Sequence, residues 1–162
     1  MIVATPSTST RAPSTTIHSP TTRETTEMLI GLHTCNKALT IVEIAHNATL
    51  AHTNASDCIP GDHKSSEALV FASCYTSSTE TWSKGENVMS VCSRIPLFTP
   101  IATFRPDGVY TSNGGTAGIF LGCIPNGFKF AVQDCHSGVQ IKHLLTGGAF
   151  TNDPSTYFVI RW

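Results

Sequence analysis

Six cysteines, seven histidines and two Asn-x-Ser/Thr sequons are the groups in this chain whose type and spacing could do chemistry. Cys35, Cys58, Cys74, Cys92, Cys123 and Cys135 form no Cys-x-x-Cys pair and have no histidine at zinc-finger spacing. A metal site is therefore not expected. An even cysteine count at this density reads as three disulfides, with the pairing left open. His18, His33, His46, His52, His63 and His143 are scattered without ligand spacing, and no cofactor is implied. His136, next to Cys135, is a candidate base for a serine nucleophile, although a structural histidine is the plainer reading. Asn47-Ala48-Thr49 and Asn54-Ala55-Ser56 can accept N-linked glycans.

The elements that position these groups belong to a chain of 162 residues, the size of one domain with a short tail. The 10 Lys+Arg against 11 Asp+Glu exclude a nucleic-acid binder that works through a strong positive field. Charged residues make up only 13%, about half the usual share, and apolar residues reach 40% without any run long enough to span a membrane. Low charge, sequons and cysteines together point to an extracellular, secreted protein. Polar residues follow Met1, Ile2 and Val3 directly, so no signal peptide is read, and the sequence is expected to be a mature piece or a unit of a longer precursor.

Residues 1–27 differ from the rest. More than half of Ala4 to Glu27 is Ser or Thr, with Pro6, Pro13 and Pro20 at seven-residue intervals. Such a segment buries too little apolar surface to offset its ordering entropy, so it is expected to be an extended arm or linker. Its composition also suits an O-glycosylated stalk, with Thr5, Thr8, Thr10, Thr15, Thr16, Thr21 and Thr22 as acceptors. Laid on a neighbouring copy, an arm of this kind can build a homo-oligomer or filament.

Residues 28–162 read as one α+β domain. Asn36 to His52 is dense in apolar residues and is expected to be a largely buried helix, against the β-branched Thr40, Ile41, Val42 and Ile44. Ser65 or Ser66 can cap a second helix running through Cys74, with Glu67 in its first turn. Beyond Gly85 the pattern turns to strands at Ile101–Phe104, Gly118–Cys123, Phe128–Asp134, Val139–Leu145 and Thr156–Trp162. Turn signals separate them, and Asn126-Gly127 is the strongest for a hairpin. Helices first and strands afterwards predict N-terminal helices packed on an antiparallel sheet.

From Thr81 to Trp162 a series of short motifs keeps one order. It runs Trp82-Ser83-Lys84-Gly85, Pro100-Ile101-Ala102-Thr103-Phe104, Gly108-Val109-Tyr110, Gly115-Thr116-Ala117-Gly118-Ile119-Phe120-Leu121, Val132-Gln133-Asp134, Gly138 and Tyr157-Phe158-Val159-Ile160. The series resembles a branch of the NlpC-type, papain-like superfamily that includes bacterial amidases cutting peptidoglycan cross-bridge peptides. The resemblance implies a helix on an antiparallel sheet, a Cys nucleophile at the helix start, and a His base at the start of the central strand. Aligning Ala68-Leu69-Val70 with the family's Cys-Val-Ala-Leu-Val puts Ser66 at the nucleophile and Thr116 at the base; Asp134 alone keeps its place. Threonine takes no proton at neutral pH, and an acid with no base to orient does no chemistry by itself. The expectation is thus a pseudoenzyme: a non-catalytic, glycosylated structural domain that self-assembles through its arm. The alternatives are a secreted antibacterial peptidoglycan amidase, or a module that binds peptidoglycan or glycan.

Overall fold

The structure is a computed structural model and describes residues 32–59 and 63–162. The Thr/Ser/Pro segment 1–27, its seven O-glycosylation candidates and His18 lie outside the described residues.

Six strands form one antiparallel sheet: β1 (Ser83–Asn87), β2 (Pro100–Thr103), β3 (Ala117–Ile124), β4 (Gly127–Asp134), β5 (Ser137–Leu145) and β6 (Tyr157–Arg161). Their spatial order is β1-β6-β2-β3-β4-β5. Strands β2 to β6 fall on the five runs expected from sequence. Asn126, with φ of 61°, turns β3 back into β4, and Ile124 faces Gly127 across the hairpin. Strand β1 was not expected, because Ser-Lys-Gly-Glu-Asn has no apolar alternation. It forms as an edge strand through its ladder with β6.

The sheet is buried on both faces, which is why its central runs are densely apolar and not alternating. One face carries Ala102, Ile119, Ala131 and Val139 against the helix α2 (Glu67–Cys74). The other carries Ile101, Phe120, Phe130 and Tyr157 against the short helix α3 (Val88–Val91). Phe128, Phe130 and Tyr157 meet there edge-on, with ring centroids 5.4–5.7 Å apart.

The first helix, α1 (Lys37–Ala45), corrects the sequence reading twice. It stops at Ala45, well short of His52, because Asn47 adopts φ of 46°. There the Ala48 N–H donates to the Glu43 carbonyl and the Asn47 N–H to the Ile44 carbonyl, a Schellman closure that satisfies the last carbonyls. Nor is it largely buried: of its residues only Thr40 is, because the helix lies near the β5 edge with one side open. The chain leaving α1 runs against β5, where Gly138 is needed. A Cβ at Gly138 would stand 2.0 Å from the Asn47 carbonyl oxygen.

All six cysteines pair, as Cys35–Cys74, Cys58–Cys135 and Cys92–Cys123. In the chain-entropy account each closes a loop worth on the order of 4 kcal/mol. Cys35–Cys74 ties the residue before α1 to the end of α2, where the Asn36 N–H also donates to the Ser73 carbonyl. Three disulfides fit an oxidising compartment. Among the described residues no helix is long and apolar enough to cross a membrane.

Candidate functional site

Ser66 stands at the start of α2, Thr116 immediately before β3, and Asp134 at the end of β4. Three separate elements therefore bring these residues to one cleft of about 410 Å³, whose lining also includes Ser65, His136 and Tyr157. A second recess of about 490 Å³ adjoins it, and the two share Ser65, Ser112, Gly114 and Cys135. Ser65 Oγ lies at that junction, buried and without a hydrogen-bond partner among the described residues.

Ser66 is 6% exposed. Its side chain does not cap the helix as serine usually would; its Oγ accepts the Ala117 N–H of β3 at 2.9 Å. Behind it the Glu67 carboxyl, almost fully buried, accepts from the Ser56 N–H and the Tyr110 hydroxyl, each at 3.2 Å. Glu67 stands in the first turn of α2, as expected, and serves there as a core acceptor. Burial, and then the charge of Glu67, raise the Tyr110 phenol well above its ordinary value. It remains a neutral donor and cannot serve as a base for Ser66.

Thr116 is held by its backbone. Its N–H donates to Thr103 Oγ1 at 3.0 Å and its carbonyl accepts the Thr103 N–H at 2.9 Å. Beside it in the cleft lining, the Tyr157 phenol donates to the Thr151 carbonyl at 2.8 Å. Burial pushes the Tyr157 phenol up as well, so it too stays protonated.

Asp134 is engaged three times. It accepts from Lys142 Nζ at 2.7 Å, the Ser137 hydroxyl at 2.8 Å and the His136 backbone N–H at 2.9 Å. Burial pushes its carboxyl up, but these three donors outweigh that and hold it at about 2. The carboxylate orients a lysine and a turn. Among the described hydrogen bonds none joins it to an imidazole, and none joins Ser66 to one. His136 is exposed at the cleft rim. Cys74 is oxidised to Cys35 and offers no thiolate.

Gln133 is a further site-building residue that sequence reasoning passed over. Fully buried, it accepts the Leu50 N–H at 2.7 Å and donates to the Leu50 and Lys64 carbonyls at 3.0 and 2.9 Å. It fastens Leu50 and Lys64, on the approach to the cleft wall, to β4. The available signal was a single amide directly after the apolar run Phe130 to Val132. Cys58–Cys135 ties the 50–59 segment to the residue after β4 covalently. The sequon residues Asn47 and Asn54 are both exposed, at the end of α1 and in the turn after His52. Among the described residues no group of three or more His, Cys, Asp or Glu is placed to hold a metal.

No curated protein matches the chain. A family model, Domesticated amidase effector 2 (Dae2), matches residues 37–160. Among solved structures, that of "Type 6 secretion amidase effector 2 (Tae2)" is similar, with a TM-score of 0.54 at 22% sequence identity, over 70% of this chain and 95% of that one. That likeness establishes the fold, an α+β domain with an antiparallel sheet. The comparisons favour the amidase-effector reading over a fibre subunit, for which neither they nor the fold offers support. With most of its length matched by that family model, the chain belongs to the domesticated amidase effector 2 family.

Proposed function

We propose that this protein is a peptidoglycan-directed member of its family that binds the peptide part of the polymer in the Ser66 cleft and does not cleave it. The observation carrying this reading is the state of Ser66. Its Oγ is buried, accepts the Ala117 N–H and faces the neutral Tyr110 hydroxyl. A serine becomes a nucleophile only when an adjacent base can take its proton. Here the neighbouring groups are a backbone N–H and a phenol whose one proton goes to Glu67, and neither is a base. Two features support retained binding: a cleft large enough for a peptide segment, and the unpaired Ser65 hydroxyl within it.

The amidase reading is supported by the family match and by the presence of His136 in the same cleft. For it to act, the imidazole would have to reach Ser66 and the Ala117 hydrogen bond would have to open.

Co-sedimentation with insoluble peptidoglycan tests the binding claim. The chain is expected to pellet saturably, and His136→Trp, which places bulk at the exposed rim, should weaken this at least about tenfold. Failure of the native chain to pellet, or unchanged pelleting by His136→Trp, would remove the cleft from the account.

A further inference from the structure

A second site lies away from the cleft, where α1 crosses the sheet. Ile41 and Ile44 of α1, Phe98, Leu121 of β3, Lys129 of β4 and Ile141 of β5 line an open groove of about 280 Å³. Among the described residues nothing covers its apolar walls: Ile41 and Ile141 are each 48% exposed. The density of apolar residues in α1 is that of a buried helix, yet the fold leaves this side open.

The groove is built. Phe98 holds φ of 68°, a left-handed backbone that bulky residues rarely adopt. Its N–H donates to the Phe120 carbonyl and its carbonyl accepts the Cys35 N–H, each at 2.8 Å, and the ring walls the groove. Lys37 Nζ stands 5.9 Å from that ring centroid, on the same helix face as Ile41 and Ile44. Lys129 lines the groove, and exposed His143 is its cross-strand partner in register. Neither lysine forms an ion pair with a carboxylate among the described residues. Glu43, the one carboxylate on α1, projects about 100° or more round the helix from Ile41 and Ile44.

We infer that this groove binds a single-chain anionic amphiphile of the fatty-acid type, with its aliphatic chain between α1 and the sheet and its carboxylate at Lys129 and Lys37. Size decides between occupants. The volume of about 280 Å³ lies just under the range of small-molecule sites, roughly 300–1,000 Å³, and suits one slender chain. A stable protein partner needs roughly 1,200–2,000 Å² of total buried surface, far beyond six side chains. The cationic rim selects an anionic head over a neutral one.

The full chain titrated with monomeric decanoate, followed by isoleucine and leucine methyl NMR, tests this. Expected are saturable shifts at Ile41, Ile44, Leu121 and Ile141, with decanoate bound about tenfold more tightly than octanoate. Decanol should bind more weakly, and Lys129→Glu should lose roughly tenfold while leaving the remaining methyl spectrum in place. Ile141→Ser should weaken decanoate independently of charge. Four results would each overturn the inference: no shift below the micelle-forming concentration, shifts centred on the Ser66 cleft, equal binding of decanol, or binding only to anionic vesicles.

Discussion

The two ends of the Ser66 cleft are stabilised in opposite ways. At the inner end Ser66, Glu67 and Tyr110 are buried, and neutral or backbone donors meet their oxygens. At the outer end Asp134 is about one-third exposed, paired with Lys142, and braced by the Cys58–Cys135 disulfide one residue away. Packing and hydrogen bonds hold the inner end; a covalent link and solvated charge hold the outer. The difference shows what the fold requires where a nucleophile would sit. The inner position must be satisfied because a buried orphan N–H is costly. A hydroxyl accepting from Ala117 meets that requirement without any proton transfer.

The comparison can be broken first at the outer end. Replacing Cys58 and Cys135 together by serine should destabilise the protein by on the order of 4 kcal/mol in denaturant titrations. Amide exchange should rise most in the 50–59 loop. A loss spread evenly over the sheet would show that the disulfide does not act on the cleft wall.

At the inner end, Glu67→Ala leaves the Tyr110 hydroxyl and the Ser56 N–H without their acceptor. The expected cost is about 3 kcal/mol by chemical denaturation. Glu67→Gln, which keeps an acceptor oxygen, should recover much of it. Ser66→Ala removes only the Ala117 acceptor and should cost about 1–2 kcal/mol. If Ser66→Ala were neutral or stabilising, Ser66 would be free for another role, and the inner end would not be the satisfied one.

The smallest effect belongs to Asp134. Its folded-state value of about 2 lies below the ordinary carboxylate value. The group therefore adds stability above the unfolded value near 4, and that contribution fades as pH falls from about 4 through about 2. Solvent screening of the pair, each about one-third exposed, keeps it below about 1 kcal/mol. Asp134→Asn should flatten stability over that acid range and lower neutral-pH stability by no more than about 1 kcal/mol. An undiminished acid slope would assign it to other carboxyls.

Much of the sheet was legible in the sequence, since strands buried on both faces carry apolar runs and Asn126 and several glycines mark the turns between them. Polar β1 was illegible because only its pairing with β6 makes it a strand. The end of α1 turned on the left-handed conformation of Asn47, which composition does not display. Ser66, Thr116 and Asp134 were found through the resemblance, and they do share a cleft. The groups that hold them there were missed for a common reason: Gln133 reaches Leu50 and Tyr110 reaches Glu67 across long stretches of chain. No local pattern encodes such contacts.

The most direct test of the central claim is the muropeptide profile of isolated peptidoglycan after prolonged incubation with the purified, disulfide-intact protein. The account predicts a profile identical to that of untreated polymer, with the protein bound to it. Release of new peptides that ceases in the Ser66→Ala variant would contradict it and make Ser66 a working nucleophile.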